Sequence, residues 1–231
     1  YIDYDNSIDI DSFFRFLEIV NTAELLTESL AESRDALKHI SFDMGGGFKG
    51  IEYLKPLLSA IKDCKVITFK HTGFQSGEIK ECTIKPYLLK EYQNRWYIVG
   101  LFLDSNESRT FGIDRIEELE VLAQKFKREE KLNPIDLFSR TIGVVYSEEV
   151  DHDVVLTFTP KQGNYVKTLP WHRSQEILID NEEELRIRLS VNPNFELLQM
   201  VLKQGEAVKV LEPQWFADEV KEKLISALDR Y

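Results

Sequence analysis

Only two cysteines occur in the 231 residues, Cys64 and Cys82, and their separation fits no metal-ligand spacing. They read as reduced thiols of an intracellular protein. The four histidines, His39, His71, His152 and His172, are scattered. No HExxH, zinc-finger, phosphate-loop or GxSxG pattern occurs, and no nucleophile–base pair or metal set stands at recognisable spacing. GGGFKG, Gly45 to Gly50, lacks the preceding strand and the GK[ST] ending of a phosphate loop and reads as a linker. No apolar run approaches the roughly 18 to 20 residues that cross a bilayer, and the opening residues do not read as a signal peptide. The expectation is a cytoplasmic protein that is not an enzyme, with no cofactor and no membrane partner.

A net positive charge is also lacking, because 40 acidic residues outnumber 29 basic ones. The formal net charge is −11, but it is unevenly spread. Residues 1–56 have a net charge of −6 and residues 127–231 one of −5, whereas residues 57–126 hold 10 basic and 10 acidic side chains. A nucleic-acid coat over the whole surface is excluded by this balance. Any polyanion site has to be a local pocket, and the middle segment opposes one least.

Residues 12–40 have helical periodicity, with Phe13, Phe16, Leu17 and Val20 on one stripe, and Asn21 or Thr22 as the cap of a second helix that carries Leu26, Leu30 and Leu37. Residues 51–63 again suit a helix, with Pro56 marking its first turn. Short strands follow. KVITFKH (65–71) alternates, HTGFQSGE is a turn, and EIKECTIKPYLLKEY (78–92) is a long strand with a break near Pro86. NRWYIVGLF (94–102) sets Trp96, Ile98 and Gly100 on one face and Tyr97, Val99 and Leu101 on the other. RTFGIDRI (109–116) reads as a further strand, and EELEVLAQKF (117–126) as either strand or helix. Strands this short and close predict a small antiparallel barrel or strongly bent sheet.

A polar linker, KREEKLNP (127–134), leads to a short helix capped by Asn133. Residues 151–231 then alternate as strand, helix, strand, strand, helix, strand and helix, the split-βαβ order of a ferredoxin-like fold. Asn192 or Asn194 caps the middle helix and Gly205 ends it. The predicted fold class is α+β: a helical linker or dimerisation segment (1–56), a barrel domain (57–126), a linker with a short helix (127–150) and a ferredoxin-like domain (151–231).

The middle segment resembles a WYL domain, named for a Trp-Tyr-Leu triplet. Trp96-Tyr97-Ile98 stands in that position, with Ile for Leu. Ile67-Thr68-Phe69-Lys70-His71 resembles the first strand of the family, Lys85-Pro86-Tyr87 its basic-Pro-aromatic step, and Arg109-Thr110-Phe111-Gly112-Ile113-Asp114-Arg115-Ile116 its Arg-x-Phe-x-Leu-Asp-Arg-Ile element. The four elements in order carry the resemblance; the triplet alone would carry none. Residues from about 153 to 231 resemble the C-terminal extension that follows WYL domains in many bacterial transcriptional regulators.

The resemblance implies an Sm- or SH3-like barrel that senses a nucleic-acid-like effector, a short single-stranded DNA or a nucleotide. It also implies a homodimer that meets promoter DNA through a helix-turn-helix domain. Residues 1–50 hold no basic recognition helix, and the first residue is Tyr1, so that domain is expected upstream. The alternative is a WYL interaction module that binds single strands in a defence or repair protein without promoter control.

Such a ligand needs phosphate neutralisation and a π-face. Arg109 and Arg115 are candidate bidentate phosphate donors. Tyr97, Tyr87 and His71 are candidates for stacking or hydrogen bonding, and Lys85 and Arg95 for a basic rim. Each has a structural alternative: Arg115 in an ion pair with Asp114 or Glu117, Arg109 as a solvated edge arginine, Tyr97 in the core, Tyr87 packed behind Pro86, His71 at a hairpin end, Lys85 and Arg95 as surface charges.

Overall fold

The computed structural model describes residues 49–74, 77–128, 138–145 and 152–231. The helices expected within 12–40 and at 133–140 lie outside these residues in whole or large part.

Amphipathic helix α1 (Leu54–Lys62) follows a 3-10 turn, with Pro56 in its first turn, where the missing N–H costs no hydrogen bond. Its buried residues, Leu57, Ala60 and Ile61, lie against a five-stranded antiparallel sheet. The strands are β1 (Lys65–Thr72), β2 (Ile79–Tyr92), β3 (Arg95–Phe102), β4 (Ser108–Gly112) and β5 (Ile116–Lys125), in the order β4-β3-β2-β1-β5. Residues 117–126 thus resolve as strand. One face supplies Ile67, Phe69, Cys82, Ile84, Ile98 and Phe111 to the core beneath α1, with Trp96 and Phe102 partly buried around it. The opposite face carries Val66, Val99 and Leu101, which are also buried. The break expected at Pro86 is a register shift between Pro86 and Leu88 within one continuous strand.

The closed barrel is corrected to an open sheet. RTFGIDRI is not one strand: β4 stops at Gly112, and Ile113–Arg115 form a 3-10 turn. That turn takes the chain from β3's edge of the sheet to β1's edge, where β5 pairs. β4 and β5 are therefore the two edges, and no ladder joins them. Ile113 and Ile116, three residues apart, both point into the core. Gly50 braces the turn from below. Its φ is 87°, and a Cβ there would lie 2.5 Å from the carbonyl oxygen of Ile113.

The second sheet comprises β6 (His152–Phe158), β7 (Glu176–Asp180), β8 (Leu185–Val191) and β9 (Val208–Glu212), all antiparallel in the order β7-β8-β6-β9. Helix α2 (Pro160–Thr168) joins β6 to β7, α3 (Phe195–Lys203) leads to β9, and α4 (Gln214–Leu228) ends the block. Leu185, Ile187, Leu189 and Val191 point inward along β8, while Arg186 and Arg188 point outward to Glu184 and Glu176. Asn194 is the cap of α3, its side chain accepting from Leu197 N at 2.9 Å. Gly205 opens a separate 3-10 turn after α3.

Residues 141–145 are clasped by the start of α3. Asn194 Nδ2 donates to the carbonyls of Ile142 and Val145, both at 2.7 Å. Glu196 Oε1 accepts from Val144 N at 3.2 Å and Val145 N at 3.1 Å.

Candidate ligand-binding site

Cross-strand pairing decides which side chains can meet. Arg109 pairs with Gly100 and Phe111 with Ile98, so Arg109 and Phe111 share the face of Trp96 and Ile98. His71, two residues beyond Phe69 on β1, reaches the same face. Its ring meets Phe111 edge-on at 5.2 Å and Phe69 at 6.4 Å. Arg109 is exposed, its guanidinium 5.7 Å from the centre of the Phe102 ring.

Arg115 arrives by a different route. Because the strand ends at Gly112, the 3-10 turn frees Arg115 from strand alternation and turns it toward the tip of the β1–β2 hairpin. Its guanidinium lies 4.1 Å from the centre of the Phe74 ring. Gly112 makes room on another side: a Cβ there would fall 2.7 Å from Arg115 Nη2 and 2.6 Å from Asp114 Oδ1. Asp114 lies between two arginines, with Oδ1 3.7 Å from Arg115 Nε and Oδ2 3.6 Å from Arg95 Nη1. Two guanidinium groups, those of Arg95 and Arg115, are thereby set around this one carboxylate.

Two polar atoms here are buried with no hydrogen-bond partner, His71 Nε2 and Arg115 Nε. Burial holds the His71 pKa below the ordinary histidine value, Arg115 and Arg109 push it the same way, and Asp114 and the Gly112 carbonyl oppose them. The arrangement presents unsatisfied nitrogen atoms, cationic donors and aromatic surface in one place, the set that an anion attached to a flat ring would use.

The remaining candidates are placed elsewhere. Tyr97 pairs with Lys90 and Gly112 on the opposite face of β3 from Arg109. Burial raises its hydroxyl pKa, Arg95 and Arg115 oppose that rise, and Asp114 and Glu196 add to it. Lys85 pairs with Leu101, also on that opposite face, and donates to Asn106 Oδ1 at 2.6 Å. Tyr87 is only 4% exposed, with its ring 5.4 Å from Phe126 and 5.5 Å from the Arg128 guanidinium. Arg95 reaches the site through Asp114 alone. The structure therefore brings together His71, Arg109, Arg115 and, at the margin, Arg95. It does not bring Lys85 or Tyr87 to them.

Phe74 and Gly112 were missed by sequence reasoning as site residues. Phe74 sits in HTGFQSGE, whose turn residues mask an aromatic that is 71% exposed. An exposed aromatic at a hairpin tip was the available signal. Among the described residues, no three His, Cys, Asp or Glu side chains are placed to hold a metal ion, and no helix is long and apolar enough to cross a membrane.

Comparison with known proteins matches residues 52–121 to the WYL domain and residues 151–228 to the WCX domain. No curated protein matches. Among solved structures, the proteasome accessory factor B/C (PafBC) of Arthrobacter aurescens is 20% identical, over 79% of this chain and 27% of that one, with a TM-score of 0.32. A CRISPR Cas-related protein is 15% identical, over 79% of this chain and 52% of its own length, with a TM-score of 0.49. The chain thus spans about a quarter and about half of the structures it matches. The chain thus carries a stretch that matches the WYL domain, residues 52–121, followed by one that matches the WCX domain, residues 151–228.

Proposed function

We propose that this chain is the effector-sensing and oligomerisation portion of a bacterial transcriptional regulator, and that its WYL domain holds a nucleic-acid-like ligand, a short single-stranded DNA or a nucleotide. The observation that carries this reading is a pair of buried nitrogens without a hydrogen-bond partner, His71 Nε2 and Arg115 Nε (the latter 3.7 Å from the Asp114 carboxylate), beside the Arg109 guanidinium and the Phe74 ring. Buried polar atoms without partners are rare; a phosphate oxygen would accept from Arg115 Nε, and from His71 Nε2 once that nitrogen carries a proton. Phe74 offers a face on which a base can stack.

Promoter control would run through a domain outside this chain. The effector must bind one conformer of a homodimer better than another, and effector and promoter affinities must then change reciprocally. Leu224, Ile225 and Leu228, all exposed on α4, support this helix as a dimer contact. The strand order β9-β6-β8-β7, with helices between, supports reading the second domain as ferredoxin-like.

The test is fluorescence anisotropy of short oligothymidylates across a salt series, beside an Arg109→Ala/Arg115→Ala double variant. Micromolar or tighter binding that weakens with salt and is lost in the folded variant supports the reading. Binding indifferent to both substitutions overturns the site.

A further inference from the structure

His71 sits among groups that make its protonation state matter. On its own face, β1 contributes Phe69, and β4 contributes Phe111 and Arg109. The 3-10 turn contributes Asp114 and Arg115. β2 places Lys80 directly opposite, paired with Glu78 at 3.4 Å, and Cys82 two residues further on. β5 places Ile116 opposite on the other side, and its neighbour Glu117 lies opposite Lys70 on the reverse face. Within this ring of groups, the Gly112 carbonyl acts on the imidazole while Nε2 has no partner. Nε2 is buried, and in a neutral ring with its proton on Nδ1 that atom is a bare lone pair.

A lone pair is the wrong group to show a phosphate oxygen. Repulsion replaces attraction, and Arg115 Nε and Arg109 would have to hold the anion against it. A proton on Nε2 converts the same atom into a charge-assisted donor. The unliganded site resists that proton, because burial and two arginines disfavour a third cation. An anion seated between Arg109, Arg115 and His71 removes the resistance, since its charge offsets theirs.

We propose that His71 is a ligand-binding residue that engages an anionic ligand only as the imidazolium, so that each ligand bound brings a proton with it. This rests on the reading that the site takes a nucleic-acid-like ligand. It makes the sensor respond jointly to ligand and to acidity. Affinity rises by up to about tenfold per unit fall in pH between the histidine's value in the complex and its lower value in the free protein, and it levels off beyond both.

The experiment is binding of a 5′-hydroxyl oligothymidylate to the 231-residue chain between pH 5.5 and 8, a range in which phosphodiester linkages keep a constant charge. His71→Gln, His172→Gln and Arg115→Ala are run beside it, each checked for folding by circular dichroism. Calorimetry in two buffers of different ionisation enthalpy counts protons taken up. The expected result is affinity that increases as pH falls, proton uptake of up to about one per ligand, and both effects absent in His71→Gln but kept in His172→Gln. Arg115-dependent binding with no pH slope, or a slope that survives in His71→Gln, overturns the proton linkage and leaves the proposed function standing. No oligothymidylate binding at any pH overturns both.

Discussion

Gly112 and Arg115 compete for the same space: a Cβ at residue 112 would lie 2.7 Å from Arg115 Nη2. Gly112 has a φ of −68°, which any residue can adopt, so its requirement for glycine is set by the Arg115 guanidinium and the Asp114 carboxylate and not by the backbone.

Gly112→Ala is therefore expected to separate binding from stability. The atoms in the way are the ends of flexible side chains, so the fold absorbs the methyl group at a cost of about 1 kcal/mol or less. Arg115 cannot keep its place against Phe74, and ligand affinity falls at least roughly tenfold, close to 1.4 kcal/mol. Paired measurements of denaturant midpoint and oligothymidylate affinity check this. Equal affinity in the variant would show that Arg115 does not need this seat.

Gly50→Ala should behave in the opposite way. The new Cβ would strike the backbone of Ile113 at 2.5 Å, and φ of 87° strains any side chain. A loss of about 2 kcal/mol or more is expected in chemical denaturation. Gly77→Ala is the control, because its φ is 65° but nothing lies within 4 Å of the added carbon, so only the backbone term, about 1 kcal/mol, remains. Equal losses would mean that the contact beneath the turn is not a tight one.

The acid side of the stability curve should carry two histidines. Burial lowers the pKa of both His71 and His172 in the folded state, with Arg115 and Arg173 acting in the same direction. The folded chain then binds fewer protons than the unfolded chain below about pH 6.5, the unfolded value. The stability these groups contribute is complete above that pH and is lost as pH falls toward their folded values. Without ligand, the melting temperature should drop as pH falls below about 6.5, and the drop should be shallower in a His71→Gln/His172→Gln variant. An unchanged slope would place the titration elsewhere.

Glu196 holds residues 144 and 145 through two backbone N–H groups, and Gly143, at φ 81°, passes so close that a Cβ would sit 2.4 Å from Glu196 Cγ. Glu196→Ala should cost about 1–3 kcal/mol by stranding those donors, whereas Glu196→Gln keeps an acceptor and should cost less. Denaturant titration ranks the two. The reverse order would show that the negative charge matters more than the acceptor.

Most strands and helices were legible because their signals are local. The alternation in KVITFKH is β1 almost residue for residue, and Asn194 caps α3 through the side-chain chemistry that made it a candidate. Arg109 and His71 could be assigned to one region because they flank alternating apolar residues. The failures are places where distance along the chain stops predicting direction. RTFGIDRI has the alternation of a strand, yet Gly112 releases it into a turn, so Arg115 left the pattern and the sheet stayed open. Tyr97 is adjacent to Trp96 and so faces away from Arg109. Lys85 and Tyr87 bear the right chemistry, but cross-strand register and a bulge beside Tyr87 orient them, and register belongs to pairs of strands.

The Ile113–Arg115 turn completes about one revolution with three residues, so that Ile113 and Ile116 enter the core while Asp114 and Arg115, both half-buried, stay outside it. One inserted residue would rotate everything after it by about 120°, exchanging a core isoleucine for a charge and moving β5 out of phase with β1. For the proposed site, the length of this turn therefore matters as much as the arginine it carries, and a loop with the same composition but another residue count would dismantle the arrangement with every one of its side chains still present in the sequence.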